Sequence, residues 1–172
     1  MKKLFLGAML ISLGFTVNAQ GNQFGLTGGF FNASAKIKFD GVSHTESEAG
    51  FYIGGLIDFS ISEKFHIQPE LVYVNVNDGS GIALPIIAKY YVSDGFNLQF
   101  GPHFDFSLED VPNDFTGFGI SLATGFGYDI SDAFSMEARY AFQLNNYYTG
   151  DLNADLTTNS LMIGVSYKFS KK

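Results

Sequence analysis

Twenty-five residues, Ile82 to Phe106, constrain the fold more than any other stretch of the chain. Read with period two, they form two strands around one tight turn. Ile82, Leu84, Ile86, Ala88, Tyr90 and Val92 share one face, and Phe96, Leu98, Phe100, Pro102, Phe104 and Phe106 continue it. The other face mixes Ala83, Pro85, Ile87, Lys89 and Tyr91 with Asn97, Gln99, Gly101, His103 and Asp105. A soluble hairpin buries its apolar face under a second layer and shows the other to water. Here the apolar face is aromatic and almost unbroken, while the opposite face carries small residues and isolated charges. That pattern predicts lipid outside and a narrow polar lumen inside.

The turn supports the same reading. Opposed residues of an antiparallel pair share a face, so Val92 and Phe96 leave Ser93-Asp94-Gly95 as the loop, with Gly95 where a left-handed residue is wanted. Ile61-Ser62-Glu63-Lys64-Phe65 and Ile130-Ser131-Asp132-Ala133-Phe134 repeat the formula of β-branched residue, Ser, acid, any residue, Phe. Three copies of one turn between period-two segments point to a single repeated hairpin architecture.

Taken in order, the chain begins with Lys2-Lys3, an apolar run from Leu4 to Val17, and small residues at Val17-Asn18-Ala19. This reads as an export signal over 1–19, because the run falls short of the roughly 20 residues of a spanning helix. Residues 20–172 are then one barrel domain. Eight strands are expected: 24–34, 50–61, 65–76, the two of the central hairpin, 116–130, 134–145 and 160–169. Connections near 35–48, 77–80, 107–115 and 146–158 read as longer loops alternating with the three short turns. The expected fold is an all-β, eight-stranded, antiparallel, up-and-down transmembrane β-barrel, with the short turns Ser62-Glu63, Ser93-Asp94-Gly95 and Ser131-Asp132 facing the periplasm. A lipocalin-like soluble barrel is the alternative. It would need its apolar residues inside, and the continuous aromatic face argues against it.

Composition narrows the function classes. There are 19 Phe, 9 Tyr and no Cys, so no disulfide framework exists. Loss of Lys2 and Lys3 would take the formal charge from −7 to −9, and an acidic chain without basic clusters argues against nucleic acid.

Four segments carry a family resemblance: F-G-L-T-G-G-F at 24–30, I-Q-P-E-L-V-Y at 67–73, A-L-P-I-I-A-K-Y-Y at 83–91 and L-Q-F-G-P-H at 98–103. The chain resembles the small outer-membrane β-barrel proteins labelled porin-family or PorT-like, with Glu70, Pro85, Lys89, Gly101 and Pro102 on positions of the family's pattern. The resemblance implies the barrel, outer-membrane lipid around it, and the outer membrane of a Gram-negative bacterium as its location. It implies no shared activity. Barrels of this kind often end on an aromatic that the insertion machinery recognises, whereas Phe169 is followed by Ser-Lys-Lys.

Ranked by height above the short turns, Asp58, Gln68, Lys89, Gln99 and Glu137 share one level, Glu70 and Arg139 the next, and His103 and then Asp105 lie higher. Asp58, Glu70, Lys89, Glu137, Arg139, His103 and Asp105 are thus the candidate lumen charge cluster. Eight strands leave a lumen barely wide enough for side chains, so these ions must pair. A four-residue connection at 77–80 would set Glu70 opposite Ile87 with Lys89 one inward step away, within reach. A paired cluster reads as a structural plug, and the alternative is a narrow path for ions or small solutes. His103 and Asp105 with Ser107 or Ser121 evoke a hydrolase triad. A step of roughly 7 Å along one strand face is expected to keep His and Asp apart, so no enzyme activity is expected. No cofactor or metal set is evident, since the three His are dispersed. Asp40, Glu46, Glu48, Asp78, Glu109, Asp110, Asp114, Asp151 and Asp155 outnumber Lys36 and Lys38 in the outer loops and could attract divalent cations. The expectation is a monomeric structural or interaction module acting through those loops.

Overall fold

The computed structural model describes residues 22–39, 42–77, 79–150, 152 and 154–169. The signal segment, Asp40, Asp78, Asp151 and the Ser-Lys-Lys tail lie outside the described residues. Eight strands follow in order: β1 (Asn22–Phe39), β2 (Val42–Ser62), β3 (Phe65–Val76), β4 (Gly79–Tyr91), β5 (Phe96–Ser107), β6 (Phe118–Asp129), β7 (Phe134–Gln143) and β8 (Ala154–Phe169). Each pairs antiparallel with its sequence neighbour, and β8 pairs with β1 to close the barrel. Closure gives every strand two neighbours, which removes the unpaired edges that lipid cannot solvate.

Side-chain alternation decides which face meets lipid. Leu26, Ile53, Leu71, Ile86, Phe100, Phe126, Phe142 and Ile163 point outward and are exposed, while Phe31, Leu56, Gln68, Ile87, Gln99, Ala123, Arg139 and Met162 on the same strands are buried. The expected outward and inward sets both hold. Strands β3 to β7 run 10–13 residues, close to what a tilted strand needs to cross a bilayer.

Two of the three short turns close alike, and the third adds a bulge. The backbone N–H groups of Val92 and Ser93 both donate to Phe96 O, and those of Ile130 and Ser131 both donate to Phe134 O. Ser62 pairs with Phe65 across a register shift that leaves Ile61 as a bulge. The hydroxyls of Ser62 and Ser131 accept from the N–H groups of Phe65 and Phe134, each at 3.1 Å, which explains Ser at that place. Gly95 sits at φ 79°, the left-handed conformation expected of it.

The opposite end departs from expectation. Residues 35–48 are mostly strand, not loop: β1 and β2 pair without interruption to Phe39↔Val42. β8 starts at Ala154, inside the segment read as loop 146–158, and pairs with β1 up to Phe39. Only residues 77 and 78 separate β3 from β4, with Asn77 left-handed at φ 47°. Connection length therefore alternates only in the second half, where 108–117 and 144–153 are long. The first half ends instead in a three-stranded extension, β2-β1-β8, that outreaches the other strands. Residues 42–49 of β2 pair with β1 alone, because β3 ends opposite Gly50.

Candidate functional site

The shorter β3–β4 turn resets the lumen register. Gln68 pairs with Ile87 and His66 with Lys89, so Lys89 lies two inward steps from Glu70 and not one. The expected Glu70–Lys89 contact is replaced by pairing across the barrel. Arg139 on β7 reaches Glu70 on β3, four strands away and so on the opposite wall. Its Nη1 and Nη2 donate to the two carboxylate oxygens at 2.7 and 2.9 Å, a fork-on-fork geometry. Nη2 also donates to Glu137 Oε1 at 3.0 Å, and Lys89 Nζ lies 3.6 Å from Glu137 Oε2. Gln68 Nε2 donates to Glu70 Oε1 at 2.7 Å. Two carboxylates and two cations are thus brought together in a layer where all four side chains are at most 2% exposed.

Asp58 belongs to a different, lower layer near the short turns. Its Oδ1 lies 2.8 Å from His66 Nδ1, and its Oδ2 accepts from Lys168 Nζ at 3.2 Å. Lys168 also faces Asp129 Oδ2 at 3.6 Å. Asp129 in turn accepts from Tyr91 OH at 2.8 Å and Ser135 Oγ at 2.6 Å. Sequence reasoning singled out neither Lys168 nor Asp129. The signal was available, since each sits between outward neighbours: Lys168 between Tyr167 and Phe169, Asp129 between Tyr128 and Ile130.

Above the Arg139 layer comes an apolar one. Phe31, Tyr52, Val72, Val74, Ala83 and Met162 form a single buried cluster, and Ile87, Ala123 and Ala141 form another. His103 and Asp105 stand apart from the lower ions. The expected separation between them is overturned: His103 Nε2 lies 3.0 Å from Asp105 Oδ1. The two Cα atoms are two residues apart, but the imidazole is long enough to lean along the strand and close the gap. Ser121 is opposite His103 on β6, and Ser107, also on β5, is exposed at the loop end, where its hydroxyl accepts from Glu109 N–H.

Of the acids at the loop end, Glu46 pairs with His44 at 3.1 Å, and Glu109 accepts from Ser80 N–H and Oγ–H. Among the described residues, no three His, Cys, Asp or Glu side chains converge as a metal site would require.

A closed eight-stranded barrel with an apolar, aromatic exterior and paired ions in its interior is a transmembrane barrel of the outer-membrane type. The chain belongs to the outer membrane protein beta-barrel domain family, whose pattern it matches over residues 4–169. That membership places it in the outer membrane of Gram-negative bacteria. The match is to the barrel domain and not to a PorT-like subgroup. Among solved structures, the chain is similar to Neisserial surface protein A, at 15% identity and TM-score 0.50 over 87% of this chain and 100% of that one. It is also similar to the outer membrane protein OprG of Pseudomonas aeruginosa, at 17% identity and TM-score 0.45 over 88% and 98% of the two chains. The attachment invasion locus protein Ail of Yersinia pestis aligns at 13% identity and TM-score 0.49, over 87% of this chain and 100% of that one. At such identities the likeness is one of fold alone. No curated protein matches the chain.

Proposed function

We propose that this outer-membrane barrel works as a closed, membrane-anchored module that presents its loop end to the surroundings, and that it is not a pore. The observation that carries this reading is the Arg139–Glu70 pair, which joins opposite walls of an interior that eight strands leave only just wide enough for side chains. A permeating ion would have to part that pair and the Asp58–Lys168 layer below it, then cross a layer dominated by Phe31, Val72 and Met162, whose cluster offers a single phenol, Tyr52. The rival reading, a narrow ion path, draws on buried polar atoms without hydrogen-bond partners at the same depth, among them Gln68 Oε1, Gln99 Oε1 and Glu137 Oε2. Planar-bilayer recording of the purified protein separates the two. The closed reading expects no steady conductance above that of the protein-free membrane. Stable, ion-selective steps from the parent protein would overturn it.

On this reading residues 1–19 are removed during export, Phe169 serves the insertion machinery, and the barrel acts as a monomer. The turns around Ser62-Glu63, Ser93-Asp94-Gly95 and Ser131-Asp132 face the periplasm, where both ends of the barrel also lie. The exposed acids at the loop end then attract divalent cations diffusely, without a built site. The barrel is non-enzymatic in this account: His103 is 1% exposed, so a substrate could not reach its imidazole.

A further inference from the structure

Above Val74 and Phe31 the lumen opens into a cavity of about 590 Å³ at the loop end. That size lies within the roughly 300–1,000 Å³ of small-molecule sites. Its walls are largely apolar: Ala33 from β1, Val74 and Val76 from β3, and Leu156 from β8. The 108–117 connection contributes Val111, Pro112 and Phe115. This connection is pinned in place. Leu108 N–H donates to Ser80 O at 3.0 Å, Thr116 N–H to Tyr147 O at 2.9 Å, and Thr149 N–H to Asp114 O at 2.8 Å. The Phe115 ring stands edge-on to Tyr148 with centroids 5.3 Å apart. The cavity is therefore preformed.

Its charged groups have one sign. Among the described residues Asp105, Glu109 and Asp110 line it, and no Lys or Arg does. Glu109 is spent on Ser80. Asp105 spends one oxygen on His103, and its side chain is 29% exposed. Tyr147 also lines the cavity, seated over Gly119, where a Cβ would come within 2.4 Å of its hydroxyl. Burial, and then the neighbouring Asp105 carboxylate, push the Tyr147 phenol well above its ordinary range, so it remains neutral. A carboxylate beside aromatic faces, closing off an apolar space, suits a cation with a hydrophobic body and rejects an anion.

We propose that the mouth cavity binds an amphipathic organic cation, an alkyl or aryl ammonium whose apolar part lies along Val74, Val76, Val111 and Leu156 and whose charged head sits at Asp105. This goes beyond the closed-module reading and does not depend on whether the lumen conducts.

The chain contains no Trp, so Phe115→Trp places a single fluorescent reporter in the wall. This variant and the parent, in nanodiscs of zwitterionic phosphatidylcholine, are titrated with 4-phenylbutyl-trimethylammonium. The neutral isostere with a quaternary carbon and 4-phenylbutanesulfonate are titrated alongside. Fluorescence reads the variant and calorimetry the parent, with empty discs as the blank. The cation should bind saturably, the neutral isostere about tenfold more weakly, and the sulfonate not at all. Asp105→Asn should bring the cation to the affinity of the neutral isostere, and Ala33→Phe should weaken both by occupying the space. Equal binding of cation and isostere to the parent overturns the proposal, as does cation uptake no greater than in empty discs. These parent titrations decide the matter even if Asp105→Asn fails to fold.

Discussion

Arg139 shows what a single residue does in this lumen. Its guanidinium holds Glu70 at two points and Glu137 at a third, all in a layer shut off from water. Removing one partner leaves a buried, uncompensated charge, which costs on the order of 3–5 kcal/mol. Arg139→Ala is therefore expected to lower stability by about that much, read as the shift in denaturant midpoint of the barrel refolded into lipid vesicles. Glu70→Gln combined with Arg139→Met removes both charges and should recover much of the loss. If the double variant is as unstable as the single one, the pair is not the stabilising unit. Glu70 and Arg139 were both legible in the sequence as inward-facing ions on one level. Their pairing was not, because register depends on turn length. Asn77-Asp78-Gly79-Ser80 reads equally well as a four-residue loop or as a two-residue turn, and the two choices move Lys89 from beside Glu70 to opposite His66.

At the scale of the element, the decisive variable is which medium touches each face. Across the bilayer the outward face is apolar and the inward face small or polar, so period two is strong and every membrane-crossing strand could be read from residues alone. Strand continuing above the lipid has water on both sides and loses that contrast. Val42 to Glu48 puts one apolar residue among Ser, His, Thr and Glu, and Ala35 to Phe39 alternates Lys with apolar residues over five positions only, so both read as loop although they are fully paired. The same logic gives a test of the lipid face. Leu122 and Ala123 are neighbours at the middle of β6, the first facing lipid and the second buried in the lumen at 1% exposure. Leu122→Arg should destabilise the folded barrel by roughly 2–4 kcal/mol, the cost of a cation on the lipid face near the midplane. Ala123→Ser should be mild. Equal denaturant midpoints for Leu122→Arg and the parent would mean that the face assignment is wrong.

The whole molecule is asymmetric along the membrane normal, and the proposed orientation rests on that asymmetry. One end has three short turns, both ends of the barrel and the Asp58–Lys168–Asp129 network. The other has the β2-β1-β8 extension, two ten-residue connections, the open cavity and the exposed acids Glu46, Glu48, Glu109 and Asp110. The projecting end is expected to face outward, away from the periplasm. This is the usual disposition of short periplasmic turns and longer outer segments. The chain has no Cys, so single substitutions report topology without background labelling. Asp110→Cys in the 108–117 connection should react with a membrane-impermeant maleimide on intact cells. Asp94→Cys in the turn beside Gly95 should react only after the outer membrane is permeabilised. Both sites are exposed in the barrel, so a failure to label reflects the membrane and not burial. Labelling of Asp94→Cys with the membrane sealed, and of Asp110→Cys only once it is opened, would invert the orientation and turn the mouth cavity toward the periplasm.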